Sequence, residues 1–306
     1  MRPIIVVHGG AGKISSKYVE SRRKYLFDAA LKGYKVLEGG GSSLDAVVEA
    51  VAYLEDSGYF NAGAGSVPTS DGVIELDAAV MVDDGSFGAV GAVPNIKNPV
   101  RLALEVMRRT PHRILVGVEA KNFGLRLGFR EMYADELTGL ERVWHLVRSG
   151  EASGRYLDRL SRAKAVFGDT VGAVALDMDR GLAGAVSTGG ILFKLGGRMG
   201  DSSILGAGIM VSKLAAAVAT GVGEYIIDSM LCYNIVQYRR VYSLSASVRR
   251  ALNYMTRLRG RDSGGVIALD RFGKVGALFN TEGMGVAYMR SGMDEPKVVF
   301  YEPIFI

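Results

Sequence analysis

Runs of β-branched and small apolar residues spaced two apart recur along the chain, separated by longer stretches with apolar residues three and four apart. The first pattern predicts strands and the second predicts helices. Ile4 to Val7, followed by His8, form a short buried strand ending in a glycine-rich turn that closes at Gly12. A helix is expected from about Ser16 to Leu37, with Tyr18, Arg22, Leu26, Ala29, Gly33 and Leu37 on one stripe and Gly39-Gly40-Gly41 as its stop. The next helix opens at Ser42, with Asp45 three residues on in the manner of a capping box, and carries Val47, Val48, Val51 and Leu54. Asn61 to Val67 is a loop. Ile74 to Val82 and Phe87 to Val93 read as two strands joined at Asp83-Asp84-Gly85, a hairpin signal. Helices are expected from Pro99 to Arg109 and from Gly117 to Phe129.

From about Thr138 to Asp169 the chain is rich in Arg, Glu, Ser and Gly with weak helical spacing, which predicts a partly disordered, mobile linker. Hairpin patterns then return as TVGAVALD with GLAGAVS and, near the end, as SGGVIALD with KVGALFN. GAVALD and GVIALD are nearly the same string at equivalent places, so two sheets built from similar units are expected. Between them, Ile209 to Ala217 reads as a mostly apolar strand, Gly223 to Tyr238 as one buried helix, and Leu244 to Leu258 as another. Hairpins grouped apart from amphipathic helices argue for antiparallel sheets covered by helices. The expected fold is α+β, a four-layer αββα sandwich in which inward Gly and Ala let two sheets pack closely.

Composition narrows the class. The 306 residues suffice for one large domain, and the 41 glycines, about twice the usual share, fall inside apolar runs without a collagen period. A net charge of +5 is spread through helices and linker, which favours an ordinary solvated surface over a nucleic-acid footprint. Cys232 stands alone, so intramolecular disulfides and multi-cysteine metal sites are excluded, and its apolar helical setting predicts burial. His8, His112 and His145 form no HExxH pairing, which argues against a histidine-built metal site. The apolar run at the N-terminus is too short for a signal peptide and no stretch reaches a membrane span, so a cytoplasmic protein without membrane partners is expected. Single Cys and Gln residues and few Asn suit a thermophile.

The candidate chemistry lies between Gly168 and Gly223. There a strand starts abruptly at Asp169-Thr170, and STGG (Ser187 to Gly190), GGRMGDS (Gly196 to Ser202) and ATGVGE (Ala219 to Glu224) follow. No serine has the GxSxG surroundings of a hydrolase elbow. If the Asp169–Thr170 bond is cut, Thr170 carries both a hydroxyl and an α-amine of pKa roughly 7.7 to 8.0, which can serve as its own base. The cut can be the same chemistry turned inward, with the Thr170 hydroxyl attacking the Asp169 carbonyl. Thr188, Thr220 and the backbone N–H of Gly221 are candidates to polarise a carbonyl and hold an oxyanion. Arg198 and Asp201, three apart, suit the carboxylate and ammonium of an α-amino acid. Each signal alone has an ordinary reading as a turn, a strand start or a surface ion pair. Their order is the informative feature.

In that order, VVHGGAG, FNAGAGSV, ELDAAVM, GDTVGAVALD, STGG, GRMGDS, GAG, TGVGE and NTEGM cover nearly the whole chain and resemble the plant-type L-asparaginase and isoaspartyl aminopeptidase family of N-terminal-nucleophile hydrolases. The resemblance implies an αββα fold and a single-domain precursor that cuts itself before Thr170. The products would be an α chain (1–169) and a β chain (170–306), assembled as a homo-oligomeric dimer of αβ units. It implies hydrolysis of L-asparagine or β-aspartyl dipeptides, small-molecule substrates, with no organic cofactor. It assigns Thr170 as nucleophile, Thr188 as its supporting hydroxyl, Thr220 and Gly221 as the oxyanion hole, and Asn61 as a neighbour of the nucleophile. Arg198 would bind the substrate α-carboxylate, with Asp201 and Gly223 around the α-amine. A sodium ion would be held by the backbone carbonyls of Leu54, Glu55, Ser57, Phe60, Ala62 and Ala64. A glycosylasparaginase-like activity, a taspase-like endopeptidase and an uncleaved binding protein are the rival readings.

Overall fold

A computed structural model describes residues 3–14, 16–137 and 169–306. The expected linker lies outside the described residues, except for Asp169 at its end. The first half contributes β1 (Ile4–Gly12), α1 (Val19–Glu38), α2 (Ser43–Asp56), β2 (Glu75–Val82), β3 (Phe87–Pro94), α3 (Pro99–Arg109), β4 (Ile114–Val116) and α4 (Gly117–Arg126). After Thr170 come β5 (Val171–Leu176), β6 (Leu182–Thr188), β7 (Ile209–Val211), β8 (Ala215–Gly221) and α5 (Gly223–Ser229). The chain continues through α6 (Leu231–Tyr238), α7 (Leu244–Arg259), β9 (Gly264–Asp270) and β10 (Val275–Phe279). It ends with β11 (Gly283–Arg290), β12 (Lys297–Val299) and β13 (Ile304–Phe305).

The strands form two sheets and the fold is α+β. One has the order β12-β11-β1-β5-β6-β2-β3-β4 and the other β13-β10-β9-β8-β7. The two similar strings fall in corresponding antiparallel hairpins, β5/β6 in the larger sheet and β9/β10 in the smaller. Strand alternation sorts side chains into separate cores. Ile5 and Val7 pack with Leu26, Val47 and Val51 of α1 and α2, whereas Ile4 and Val6 pack with Val218, Ile267 and Leu269 of the smaller sheet. On that sheet, Ala217, Ala219, Val266 and Ala268 turn the other way, onto Ile226, Ile235, Val248 and Leu252 of α5, α6 and α7. Complete burial of each such branched side chain stabilises by roughly 1.5–3 kcal/mol. Gly172 allows close approach between sheets, since a Cβ there would lie 3.1 Å from Val218 and 2.5 Å from the His8 ring.

Local signals reappear as expected at several ends. The Ser42 hydroxyl caps α2 by accepting the Asp45 N–H at 3.1 Å. Arg22, Leu26, Ala29, Gly33 and Leu37 are the buried stripe of α1, and Cys232 is buried in α6.

Three local readings are corrected. The glycine-rich segment after His8 is no turn, because β1 runs through it. His8 pairs with Val286 and Ala11 with Met284, and a bulge at Gly9-Gly10 absorbs the extra residue. Ile209 to Ala217 is a hairpin of β7 and β8, its turn held by Ser212, whose hydroxyl accepts the Leu214 N–H at 3.1 Å. Gly223 to Tyr238 is two helices broken at Met230 (φ +45), where the Asn234 side chain donates to the Ser229 carbonyl at 2.8 Å and satisfies a group freed by the break. No helix among the described residues is long and apolar enough to cross a membrane.

Candidate active site

Thr170 stands immediately before β5, and the antiparallel pairing of Val171 with Ser187 brings Thr188, at the end of β6, alongside it. The Thr170 hydroxyl bonds the Thr188 hydroxyl at 3.1 Å, and Thr188 Oγ1 also accepts the Gly190 N–H at 3.0 Å. Both threonines are buried. Asn61 lies against the same spot. Its N–H donates to the Asp169 carbonyl at 3.1 Å, its carbonyl accepts the Gly189 N–H at 2.9 Å, and its side chain donates to the Gly190 carbonyl at 2.6 Å. Thr170, Thr188 and Asn61 are thus brought together around the Asp169–Thr170 peptide.

Arg198, Asp201 and Gly223 form a second group. Asp77 of β2, in register with Thr188, accepts the Gly200 N–H at 2.9 Å and so fixes the loop that carries Arg198 and Asp201. A Cβ on Gly223 would lie 2.8 Å from Arg198 Nη2 and 2.9 Å from Asp201 Oδ1, so any larger residue there would have to push these two side chains aside. Asp201 is buried, and its Oδ2 has no hydrogen-bond partner among the described residues. Burial pushes its carboxyl up to about 7, opposed by the Arg198 charge. Arg198 Nε and Nη2 donate to Glu224 Oε1 at 3.1 and 2.8 Å. A buried carboxyl with a free oxygen beside a guanidinium can receive an ammonium and a carboxylate on one small molecule.

A model of the asparaginase family matches residues 1–298. The chain belongs to the asparaginase family. Among its relatives, the plant-type L-asparaginase of Pyrococcus horikoshii is 38% identical, the match covering 96% of this chain and 98% of that one. The isoaspartyl peptidase of Escherichia coli is 39% identical over 98% of this chain and 96% of its own. The isoaspartyl peptidase/L-asparaginase of Xenopus laevis is 40% identical over 95% and 93%. This is the family that the order of motifs resembles.

In this asparaginase-family chain, Thr220 and Gly221 end β8 on the smaller sheet. Thr220 is fully buried, and Gly221 (φ +142) admits no side chain because a Cβ would fall 2.3 Å from the Ser263 carbonyl. Gly172 of β5 faces Val218 of β8, so Thr170 and Thr220, each two residues along its strand, sit on the facing sides of the two sheets. The residues suggested for a sodium ion lie together at the end of α2. All are oxygen donors, as a hard cation requires. The Leu54 carbonyl already accepts both the N–H and the O–H of Ser57, at 3.3 and 2.7 Å, and the Ala62 carbonyl accepts the Gly65 N–H at 3.1 Å, so neither is a fully open donor.

Several neighbours carry no signal in the chain order. Arg22 donates to Asp169 Oδ1 at 3.2 Å and pairs with its other oxygen. His8 is fully buried near Gly172; burial pushes its ring down to about 3, with the Thr170 backbone opposing, so it stays neutral. Asp77 lay unmarked within an apolar strand and Arg22 within an apolar helical stripe. A polar residue interrupting such a stripe was the only available cue.

Proposed function

We propose that this asparaginase-family chain cuts itself between Asp169 and Thr170 and then hydrolyses L-asparagine and β-aspartyl dipeptides through a Thr170 acyl-enzyme. The hydrogen bond between the Thr170 and Thr188 hydroxyls, directly after the Asp169 carbonyl, carries this reading. It holds a hydroxyl oriented at the residue whose own amine the cut would free. The free amine takes the Thr170 hydroxyl proton as the oxygen attacks the substrate's side-chain carbonyl. The C–N bond breaks, ammonia or an amino acid leaves with that proton, and water hydrolyses the β-aspartyl ester to aspartate, restoring the hydroxyl. Thr220 and the Gly221 N–H are assigned to the oxyanion. Arg198 is assigned to the substrate α-carboxylate, and Asp201 with Gly223 to its ammonium. The names of the relatives, which cover both asparaginases and isoaspartyl peptidases, support this substrate class.

The three separate cores are consistent with helix, sheet, sheet and helix stacked as an N-terminal-nucleophile sandwich, and the assembly assigned is a dimer of αβ units. The Glu55, Ser57, Phe60 and Ala64 carbonyls would hold a structural sodium ion, with the weaker help of Leu54 and Ala62; no chemical step is routed through it.

The test compares wild type with Thr170→Ala by intact mass and by release of ammonia from asparagine and of amino acid from β-aspartyl dipeptides. Two fragments meeting at Asp169 and Thr170 and turnover of both substrates, each lost in the variant, are expected. Full activity in Thr170→Ala would overturn the nucleophile assignment.

A further inference from the structure

Asp169 is held at two points, by Asn61 of the loop after α2 and by Arg22 of α1. Its carbonyl accepts the Asn61 N–H at 3.1 Å. Its carboxylate is gripped by Arg22, one guanidinium nitrogen at 3.2 Å from Oδ1 and another paired with Oδ2, both side chains largely buried. The guanidinium in turn lies 5.7 Å from the ring centre of Phe60, the neighbour of Asn61, and that ring is seated against Gly9, where a Cβ would lie 2.3 Å from it. Gly9 pairs with Val171, the residue after the nucleophile. The stack from Gly9 through Phe60 and Arg22 to Asp169 therefore closes a loop of contacts in which the Asp169–Thr170 bond is one link.

We propose that Arg22 is a positioning residue for self-cleavage, acting through the Asp169 carboxylate; this rests on the self-cleaving reading above. In the step concerned, the Thr170 oxygen bonds to the Asp169 carbonyl carbon, and the carbonyl oxygen takes up negative charge beside the Asn61 N–H. The C–N bond then breaks and the hydroxyl proton passes to the departing nitrogen. Water hydrolyses the resulting ester, leaving a carboxylate on Asp169 and free amine and hydroxyl on Thr170. The fork of Arg22 fixes the rotation of Asp169, and with it the aim of the carbonyl at the hydroxyl. Misplacement of reacting atoms by about 1 Å costs on the order of 100-fold in rate. Nothing in this arrangement requires Arg22 once the bond is cut.

The test follows cleavage of the freshly translated full chain by timed intact-mass measurement in wild type, Arg22→Met, Arg22→Lys, Asp169→Ala and the double variant Arg22→Met/Asp169→Ala, with thermal midpoints recorded for each. The double variant leaves no unpaired buried charge, so it reports even where a single variant folds poorly. Arg22→Met is expected to slow cleavage about 100-fold. Arg22→Lys should restore part of the rate, since an ammonium keeps the charge without the fork. Asp169→Ala and the double variant should be slowed alike, because Arg22 acts only through the carboxylate. Arg22→Met molecules that have been cut should show wild-type kcat and KM. A folded Arg22→Met cut at the wild-type rate would overturn the proposal. So would losses that multiply in the double variant, or an Arg22→Met that is faster than wild type because the carboxylate itself serves as the base. A wild-type chain that is never cut would overturn the self-cleavage reading, and this proposal with it.

Discussion

Asp201→Asn tests the binding half of the site through stability. Asp201 is 5% exposed, its Oδ2 is unpaired, and burial raises its carboxyl from 3.8 to about 7 despite Arg198 nearby. Asp77 and Glu224 add to the rise. An acid whose folded pKa lies above its unfolded value binds more protons when folded, so stability falls as pH rises between the two values. The rise from 3.8 to about 7 corresponds to about 4 kcal/mol of destabilisation, complete near pH 8 and absent near pH 3. Between pH 5 and pH 8 this one group should remove about 3 kcal/mol of wild-type stability. Asparagine at the position is neutral and nearly isosteric. Allowing for the new N–H donors beside Arg198, we expect Asp201→Asn to be about 2–4 kcal/mol more stable than wild type at pH 8 and close to it at pH 4. The same variant should lose a substrate counter-ion, raising KM for asparagine on the order of 100-fold. Urea unfolding of both proteins at pH 4, 5, 6, 7 and 8 reads the first effect, and steady-state kinetics the second. An Asp201→Asn that is less stable at pH 8, or whose difference from wild type does not grow with pH, would refute the argument that this carboxyl is held in a destabilising site for function.

Thr188→Val removes the partner of the Thr170 hydroxyl and leaves the Gly190 N–H unbonded; kcat should fall on the order of 100-fold, with a stability loss of about 1–3 kcal/mol by thermal unfolding. Gly223→Ala puts a methyl 2.8 Å from Arg198 Nη2 and 2.9 Å from Asp201 Oδ1, so KM should rise about tenfold or more in the ammonia-release assay. Glu55 is buried and accepts the Val100 N–H at 3.0 Å and an Asn98 side-chain N–H at 3.2 Å; Asn98 keeps Asp56 as a partner at 3.1 Å, so Glu55→Ala should cost about 1–3 kcal/mol in urea unfolding by stranding the Val100 N–H.

Period-two alternation and turn residues were enough for β2, β3, β5, β6, β9 and β10, because a strand pair joined by a short turn is specified by residues adjacent in the chain. β11, β12 and β13 were missed. β11 pairs with β1 from the far end of the chain and β13 with the non-adjacent β10, while β12, only three residues long, pairs with β11; pairing alone makes such short or glycine-containing segments strands. The helical break at Met230 was also hidden, since an apolar period continues through it and no glycine or proline marks it.

The candidate site divides in the same way. The chain alone determined the residue types and their order: a threonine after Asp169, hydroxyls at 188 and 220, and an arginine and a carboxylate three apart among glycines. Those are properties of letters and short spacings. Tertiary structure alone decided that the N–H of Asn61 meets the Asp169 carbonyl, that Asp77 tethers the Arg198 loop, and that Arg22 holds Asp169 across 147 positions of sequence. A main-chain N–H is the same at nearly every residue, and an arginine on an apolar stripe is compatible with many partners. Which carbonyl or carboxylate such a group meets is set by how sheets and helices pack, and sequence spacing carries no record of that choice.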